Sequence, residues 1–134
     1  FPHSGTFSAN PITMTAGLVA MRHFDQAAVA ELNALADRAR ANLTQVIEAS
    51  GVPACITGGG SLFRLHLKPT PPTNYRECYS TPEQNRQLKV LLDHLFHEGL
   101  IMINTCSAAL STAIGDKEIN ALVSGVEGGL KRLG

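Results

Sequence analysis

A segment near the start of the chain combines small and hydroxyl-bearing residues with the signature of a helix start. Residues 4–11 read Ser-Gly-Thr-Phe-Ser-Ala-Asn-Pro. Gly5 would allow close approach of the backbone to a ligand, and Thr6 offers a hydroxyl and an N–H. Asn10 and Pro11 are typical of a helix N-cap and of the first helical position. Such donors suit an anion, although an ordinary capped helix start is the simpler explanation from the residues alone.

Other groupings of reactive residues are weaker candidates. The three glycines at 58–60 precede a predicted strand instead of the helix that follows a phosphate-binding loop, so we interpret them as a hairpin turn. His94 and His97 lack a metal-ligand motif around them. A lone cysteine such as Cys106 is usually a small core residue, which argues against its acting as a nucleophile with His66 as base. We therefore assign no metal site and no catalytic residue.

Arg64 is a further candidate, and two interpretations of it are open. It alternates with Phe63, Leu65 and Leu67, so it is placed on the polar face of a predicted strand. A solvated arginine is the simpler interpretation. The alternative is contact with a carboxylate, if a partner domain covers that face.

Length and charge limit the classes of function. At 134 residues and 14.3 kDa, the chain is sized for one domain. Eleven basic and 11 acidic residues leave no net charge to attract nucleic acid or acidic lipid. The apolar runs are far shorter than the ~20 residues of a membrane-spanning helix. Three widely spaced cysteines, Cys55, Cys78 and Cys106, indicate reduced thiols and predict a cytoplasmic protein.

Periodicity predicts two helices before residue 51. The first begins at Asn10-Pro11 and carries no charge before Arg22, so we expect it to be buried on most sides; exposed apolar surface there would instead favour a fragment of a larger protein. Asp25 is the predicted cap of the second helix, which ends at Gly51. Its apolar stripe consists of Ala28, Leu32, Leu35, Ala39, Leu43 and Val46.

After residue 51 the pattern alternates between short strands and helices. We predict strands at Ala54–Thr57, residues 62–67, Leu100–Ile103 (buried on both faces) and Leu110–Thr112. Thr81, Pro82 and Gln84 form a predicted capping box for a third helix that ends at Gly99, and Asp116 is the predicted cap of the last helix. This order predicts an α+β fold, in which helices cover a small and mostly antiparallel sheet.

The segment around Thr6 resembles the Gly-Gly-Thr-Phe-Ser-Gly-Asn-Pro motif of class III pyridoxal-phosphate-dependent aminotransferases, particularly the glutamate-1-semialdehyde aminomutase-like branch. Further matches follow in the family's order: Asn10-Pro11 with Met14, Ala16 and Gly17; Gly60–Phe63; Thr73–Tyr75; Glu98–Leu100; and Leu110–Thr112. Ala113-Ile114-Gly115 stands where that branch has an Ala-His turn, which favours the broader transaminase assignment.

The resemblance implies a fragment of a fold-type I enzyme. Residues 1–24 would be the end of the large domain and a linking helix, and residues 25–134 the C-terminal small domain. The Schiff-base lysine and the aspartate that pairs with the pyridine nitrogen would lie upstream, since none of Lys68, Lys89, Lys117 or Lys131 matches the family's position. The first methionine, Met14, also hints at residues upstream of Phe1.

The resemblance also implies the chemistry. The intact enzyme would be a homodimer that holds pyridoxal phosphate and moves an amino group on a small-molecule substrate by imine exchange. Thr6 would bind the cofactor phosphate of the neighbouring subunit, and Gly5 would allow that phosphate to approach the backbone closely. This chain alone would be inactive. The alternative is a non-catalytic α+β module for dimerisation or interaction, favoured by the neutral charge and the incomplete catalytic set.

Overall fold

The computed structural model describes residues 5–133. Ser4, the first residue of the candidate anion-binding segment, lies outside the described residues, as does the start at Phe1. The elements are α1 (Pro11–His23), α2 (Gln26–Ser50), β1 (Cys55–Gly59), β2 (Leu62–His66), α3 (Pro82–His97), β3 (Ser107–Ala109) and α4 (Asp116–Leu130). The predicted α+β fold with a small antiparallel sheet is confirmed. Within residues 5–133, no helix has the length and apolar character needed to cross a membrane.

The chain divides into two compact units, which meet within α2 between Glu31 and Leu32. The predicted domain boundary between residues 24 and 25, with the large-domain segment before it and the small domain after it, stays a prediction. In the first unit, Asn10 caps α1 as expected: its side-chain oxygen accepts hydrogen bonds from the N–H groups of Ile12 (2.9 Å) and Thr13 (3.4 Å).

The expectation that α1 is buried on most sides is wrong in this structure. None of its residues is buried, and the side chains of Ile12, Met14 and Met21 are 80%, 61% and 68% exposed. Among the described residues of the first unit, the regular elements are α1 and the first residues of α2, which provide no second apolar layer. Within the described part of its own unit, the helix therefore carries an exposed apolar surface.

The second unit is built on a three-stranded antiparallel sheet in the order β1-β2-β3. Arg64 in the middle strand lies opposite Thr57 of β1 and Ser107 of β3. The apolar face of β2 is buried as predicted, with Phe63 and Leu65 each 3% exposed. The helices contribute the rest of the core: Leu32, Leu35, Ala36, Ala39, Leu43 and Ile47 from α2; Leu91 and Leu95 from α3; Ile119, Leu122, Val126 and Leu130 from α4.

The glycines at 58–60 form a hairpin, as predicted, but two of them belong to the strand. β1 runs through Gly59, and Gly60 adopts a left-handed φ of 55° at the turn. A Cβ at Gly58 would lie 2.2 Å from the carbonyl oxygen of Leu62. Glycine at 58 therefore serves the close approach of β1 and β2.

The two predicted strands after α3 are both misplaced. Leu100–Ile103 forms no strand and is not buried on both faces, since Leu100 and Met102 pack against the core while Ile101 and Ile103 are 83% and 60% exposed. Cys106 then takes a left-handed φ of 55°, and the chain enters β3 at Ser107 instead of Leu110.

The helix starts after residue 80 are partly as expected. Thr81 and Gln84 form the predicted capping box, with bonds of 3.2 and 2.9 Å. The last helix is different: Gly115 is its cap, and Glu118 accepts the Gly115 N–H at 3.0 Å. Asp116 is the first helical residue, and its carboxylate pairs with a distant arginine on α2. A backward-reaching Glu118 therefore replaces the expected aspartate cap.

Candidate functional site

The candidate anion-binding segment is a bend over residues 5–10. The N–H of Ser8 donates to the carbonyl of Gly5 at 3.0 Å, and the N–H of Asn10 donates to the carbonyl of Phe7 at 3.3 Å. Ala9 has a left-handed φ of 58°, which turns the chain into the N-cap of α1. These local bonds fix the bend in front of the helix.

Thr6 carries two hydrogen-bond donors in this bend, its hydroxyl and its N–H. Its side chain is exposed, and among residues 5–133 neither its hydroxyl nor its N–H has a hydrogen-bond partner. The first N–H groups of α1 are by contrast occupied by the Asn10 side chain. The bend, more than the helix end, is thus the part that can bind an anion.

The surroundings of Thr6 suit a negatively charged group. No aspartate or glutamate occurs between Gly5 and Phe24, so no nearby acidic residue in the sequence opposes an anion. A Cβ at residue 5 would lie 3.2 Å from the Ser8 hydroxyl oxygen, so glycine keeps the bend open. The donor set therefore fits a phosphate or another oxyanion.

The four lysines lie on the second unit. Lys68 donates to the carbonyl of Tyr79 at 2.8 Å and to the side chain of Gln84 at 3.3 Å. Lys131 pairs with Glu127 one helical turn earlier. The other two, Lys89 and Lys117, are exposed on α3 and α4.

Cys106 and His66, the residues considered as nucleophile and base, are both buried. Burial raises the pKa of the Cys106 thiol to about 12, so the reactive thiolate is not formed near neutral pH. His66 shares a 2.8 Å hydrogen bond with the hydroxyl of Thr57. Burial, with the cationic Arg64 and Lys68 nearby, lowers the pKa of His66. This geometry gives no support to a nucleophile–base pair.

The structure also assembles a group of residues that the sequence patterns did not bring together. The half-buried Arg64 donates from Nε to the carbonyl of Thr105 at 3.1 Å and borders a cavity with Tyr75 and Tyr79. The tyrosines come from the irregular segment between β2 and α3, whose path no periodic pattern predicts. Only the placement of Arg64 on the polar face of its strand could be inferred in advance.

Comparison with known proteins agrees with this architecture. No protein-family model matches the chain. In an alignment 129 residues long that covers 92% of the chain, it is 30% identical to a glutamate-1-semialdehyde 2,1-aminomutase from Propionibacterium freudenreichii subsp. freudenreichii. An omega-transaminase from Sphaerobacter thermophilus superposes with a TM-score of 0.92 at 35% identity over 98% of the chain. The chain belongs to the class III pyridoxal-phosphate-dependent aminotransferases.

The chain corresponds to only part of such an aminotransferase. It spans 28% of the aminomutase and 30% of the omega-transaminase. A third relative, a transaminase with PLP bound, gives a TM-score of 0.82 at 25% identity and is again covered over 30% of its length. The α+β arrangement of the chain is therefore that of a portion of aminotransferase structures.

Proposed function

We propose that the chain supplies the C-terminal small domain and a cofactor-phosphate contact in a pyridoxal-phosphate-dependent aminotransferase or aminomutase. The observation that carries the proposal is the Gly5-Thr6 bend, in which the Thr6 donors have no partner among residues 5–133, in a chain whose relatives are transaminases and aminomutases. A transaminase with PLP bound is among the similar structures. A donor set free of acidic neighbours supports the same cofactor for the protein to which this chain belongs.

The Thr6 hydroxyl and N–H would donate to the cofactor phosphate, and Gly5 would let the phosphate approach. Hydrogen bonds to a charged group contribute about 1.5–3 kcal/mol each. The proposed phosphate is that of the neighbouring subunit in a homodimer, so cofactor retention would depend on dimerisation. When bound, pyridoxal phosphate supplies an electron sink for chemistry on the amino substrate.

The remaining elements have proposed positioning roles. Residues 25–134 would form the small domain that shapes the substrate pocket. Residues 1–24 would end the large domain and link it to the small one. The apolar side chains that α1 exposes support this division, because a helix of this kind needs a partner surface. The free thiols of Cys55, Cys78 and Cys106 are compatible with the proposed cytoplasmic location.

We place the Schiff-base lysine outside this chain. The experiment is borohydride reduction of the longer natural protein in the presence of pyridoxal phosphate, followed by peptide mass spectrometry. We expect the reduced adduct on a lysine outside residues 1–134, and no stable imine absorbance when the cofactor is added to the 134-residue chain alone. An adduct at Lys68, Lys89, Lys117 or Lys131 would contradict the proposal. A longer protein without any adduct would favour the non-catalytic interaction module.

The role of Thr6 is tested by cofactor affinity in the intact enzyme. Loss of one charge-assisted bond in Thr6→Ala should raise the apparent Kd for pyridoxal phosphate about tenfold to a hundredfold. Thr6→Ser keeps the hydroxyl and should stay near the wild-type value. Thr13→Ala, which removes an exposed threonine hydroxyl in the first turn of α1, is the matched control. An unchanged Kd in Thr6→Ala would count against the phosphate contact.

A further inference from the structure

An open cavity of about 260 Å³ lies on the face of the sheet that carries Arg64. Phe63 and Leu65 point into the core, so the residue between them projects to the opposite face. The cavity is lined by Arg64, Tyr75, Cys78, Tyr79, Ser80 and Asn85. Its volume suits a molecule of a few heavy atoms and is below the usual range for larger ligands.

The residues that line this cavity offer several hydrogen-bond donors and no carboxylate. Their side chains end in guanidinium, phenol, hydroxyl, thiol and amide groups, and none of the lining residues is acidic. Arg64 uses its Nε–H on the carbonyl of Thr105 at 3.1 Å. Among residues 5–133 its two terminal nitrogens have no hydrogen-bond or salt-bridge partner. The planar end of a half-buried guanidinium is therefore left available for a bidentate acceptor.

A second positive charge lies beside the cavity. The Lys68 ammonium is 2.8 Å from the carbonyl oxygen of Tyr79 and forms no salt bridge within the described part of the chain. The two cations also act together on His66, where they add to the effect of burial in lowering its pKa. An anion in the cavity would be attracted by both charges.

The one acidic residue between β2 and α3, Glu77, is already engaged in other hydrogen bonds. The carboxylate of Glu77 accepts hydrogen bonds from the N–H and hydroxyl of Thr73 at 2.7 and 2.9 Å. It also accepts one from the side-chain amide of Asn74 at 2.6 Å. These bonds lower the pKa of Glu77 and hold its charge within its own turn. Glu77 does not line the cavity, so it does not neutralise Arg64 there.

We infer that this cavity binds a small oxyanion, a carboxylate or a phosphate, through the terminal nitrogens of Arg64. The guanidinium fork would hold two oxygens of the anion, with hydroxyl and amide donors of the lining completing its coordination. This inference goes beyond the proposed function, because it concerns residues 64–85 and requires no pyridoxal phosphate.

The test is titration of the isotope-labelled 134-residue chain with malonate and, separately, with inorganic phosphate. NMR would follow the Arg64 Nε–H signal and the amides of Tyr75 to Ser80. We expect saturable shifts confined to these signals. Arg64→Gln should weaken the affinity at least tenfold, and Arg64→Lys should give an intermediate value because it keeps the charge without the fork. Arg86→Gln is the control, since Arg86 is exposed and pairs with Glu83 outside the cavity.

The two probes separate the sources of the anion. Tighter binding of malonate assigns the cavity to carboxylates, and tighter binding of phosphate assigns it to phosphates; both support the oxyanion site. Well-dispersed spectra of both Arg64 variants would show that the fold is retained, and Arg64→Lys carries the test if Arg64→Gln unfolds. The inference is overturned if neither probe shifts the Arg64 signal, or if the folded Arg64 variants bind as well as Arg86→Gln.

Discussion

Gly129 lies on α4 where that helix packs against α3 without room for a side chain. A Cβ at this position would stand 2.4 Å from Cδ1 of Leu91 and 3.1 Å from Cδ2 of His94. Leu91 is completely buried, so it cannot move into solvent. Gly125, one turn earlier, would bring its Cβ to 2.5 Å from Leu100, but Leu100 is only half-buried and can yield. We therefore expect Gly129→Ala to be the more damaging substitution.

The magnitude follows from two opposing effects. Replacing glycine by alanine within a helix stabilises it by up to about 1 kcal/mol. Inserting a methyl group into a tightly packed core costs about 1–3 kcal/mol. For Gly129→Ala the packing cost should dominate, giving a net loss of about 1–2 kcal/mol. In a domain of this size, such a loss lowers Tm by about 4–8 °C. Gly125→Ala should lie between that value and the wild type.

The assay is urea and thermal unfolding followed by circular dichroism. Ser124→Ala is the control, because it places an alanine on the exposed side of the same helix and should be neutral or stabilising by a few tenths of a kcal/mol. If Gly129→Ala were as stable as Ser124→Ala, the close packing of α3 on α4 would be refuted.

Two further outcomes follow from buried titratable groups. Because burial lowers the pKa of His66, the unfolded chain takes up a proton before the folded chain does, so stability should be full above about pH 6.5 and fall as the pH drops below it. His66→Gln should flatten this part of the stability curve, measured by urea unfolding from pH 7.5 to 5, and an unaltered slope would contradict the argument. Because burial raises the pKa of Cys106 to about 12, its thiol should react with a chromogenic disulfide at pH 8 only after unfolding. Cys55→Ser with Cys78→Ser isolates that thiol, and rapid reaction of the folded double variant would disprove its burial.

Local signals made much of this fold predictable. Asn10 and Thr81 cap their helices with side-chain bonds that depend on only the next three residues. The alternation of Phe63 and Leu65 with Arg64 fixes which face of β2 is buried. Such features need no knowledge of distant parts of the chain.

The wrong predictions concern segments whose structure is decided by contacts with distant parts of the chain. The apolar run Leu100–Ile103 predicted a buried strand, but composition alone does not show that a neighbouring strand is free to pair with it. The path is set instead by the left-handed Cys106 and by the pairing of Ser107–Ala109 with β2. On α3, the apolar Phe96 is 62% exposed while the polar His94 is buried. His94 fits there because Gly128 and Gly129 of α4 have no side chains, and this contact between two helices is not visible in the local sequence.

The candidate sites likewise differ in whether local sequence could reveal them. Thr6 could be singled out because its motif is continuous in the sequence and ends at a helix cap. The cavity at Arg64 could not, because Tyr75 and Tyr79 reach it through a segment held by its own turn bonds and by Lys68. Side chains assembled by an irregular segment are visible only once its path is known.

The central proposal, that Thr6 serves the cofactor of the neighbouring subunit, is tested most directly with mixed dimers of the intact enzyme. One subunit would carry a substitution of the Schiff-base lysine and the other Thr6→Ala, with different affinity tags to purify the mixed species. If Thr6 acts across the interface, both defects fall in one site and the other site is intact, so the mixed dimer should show about half the wild-type transamination activity. Activity no higher than that of the two parent variants would place Thr6 in its own subunit's site and contradict the proposal.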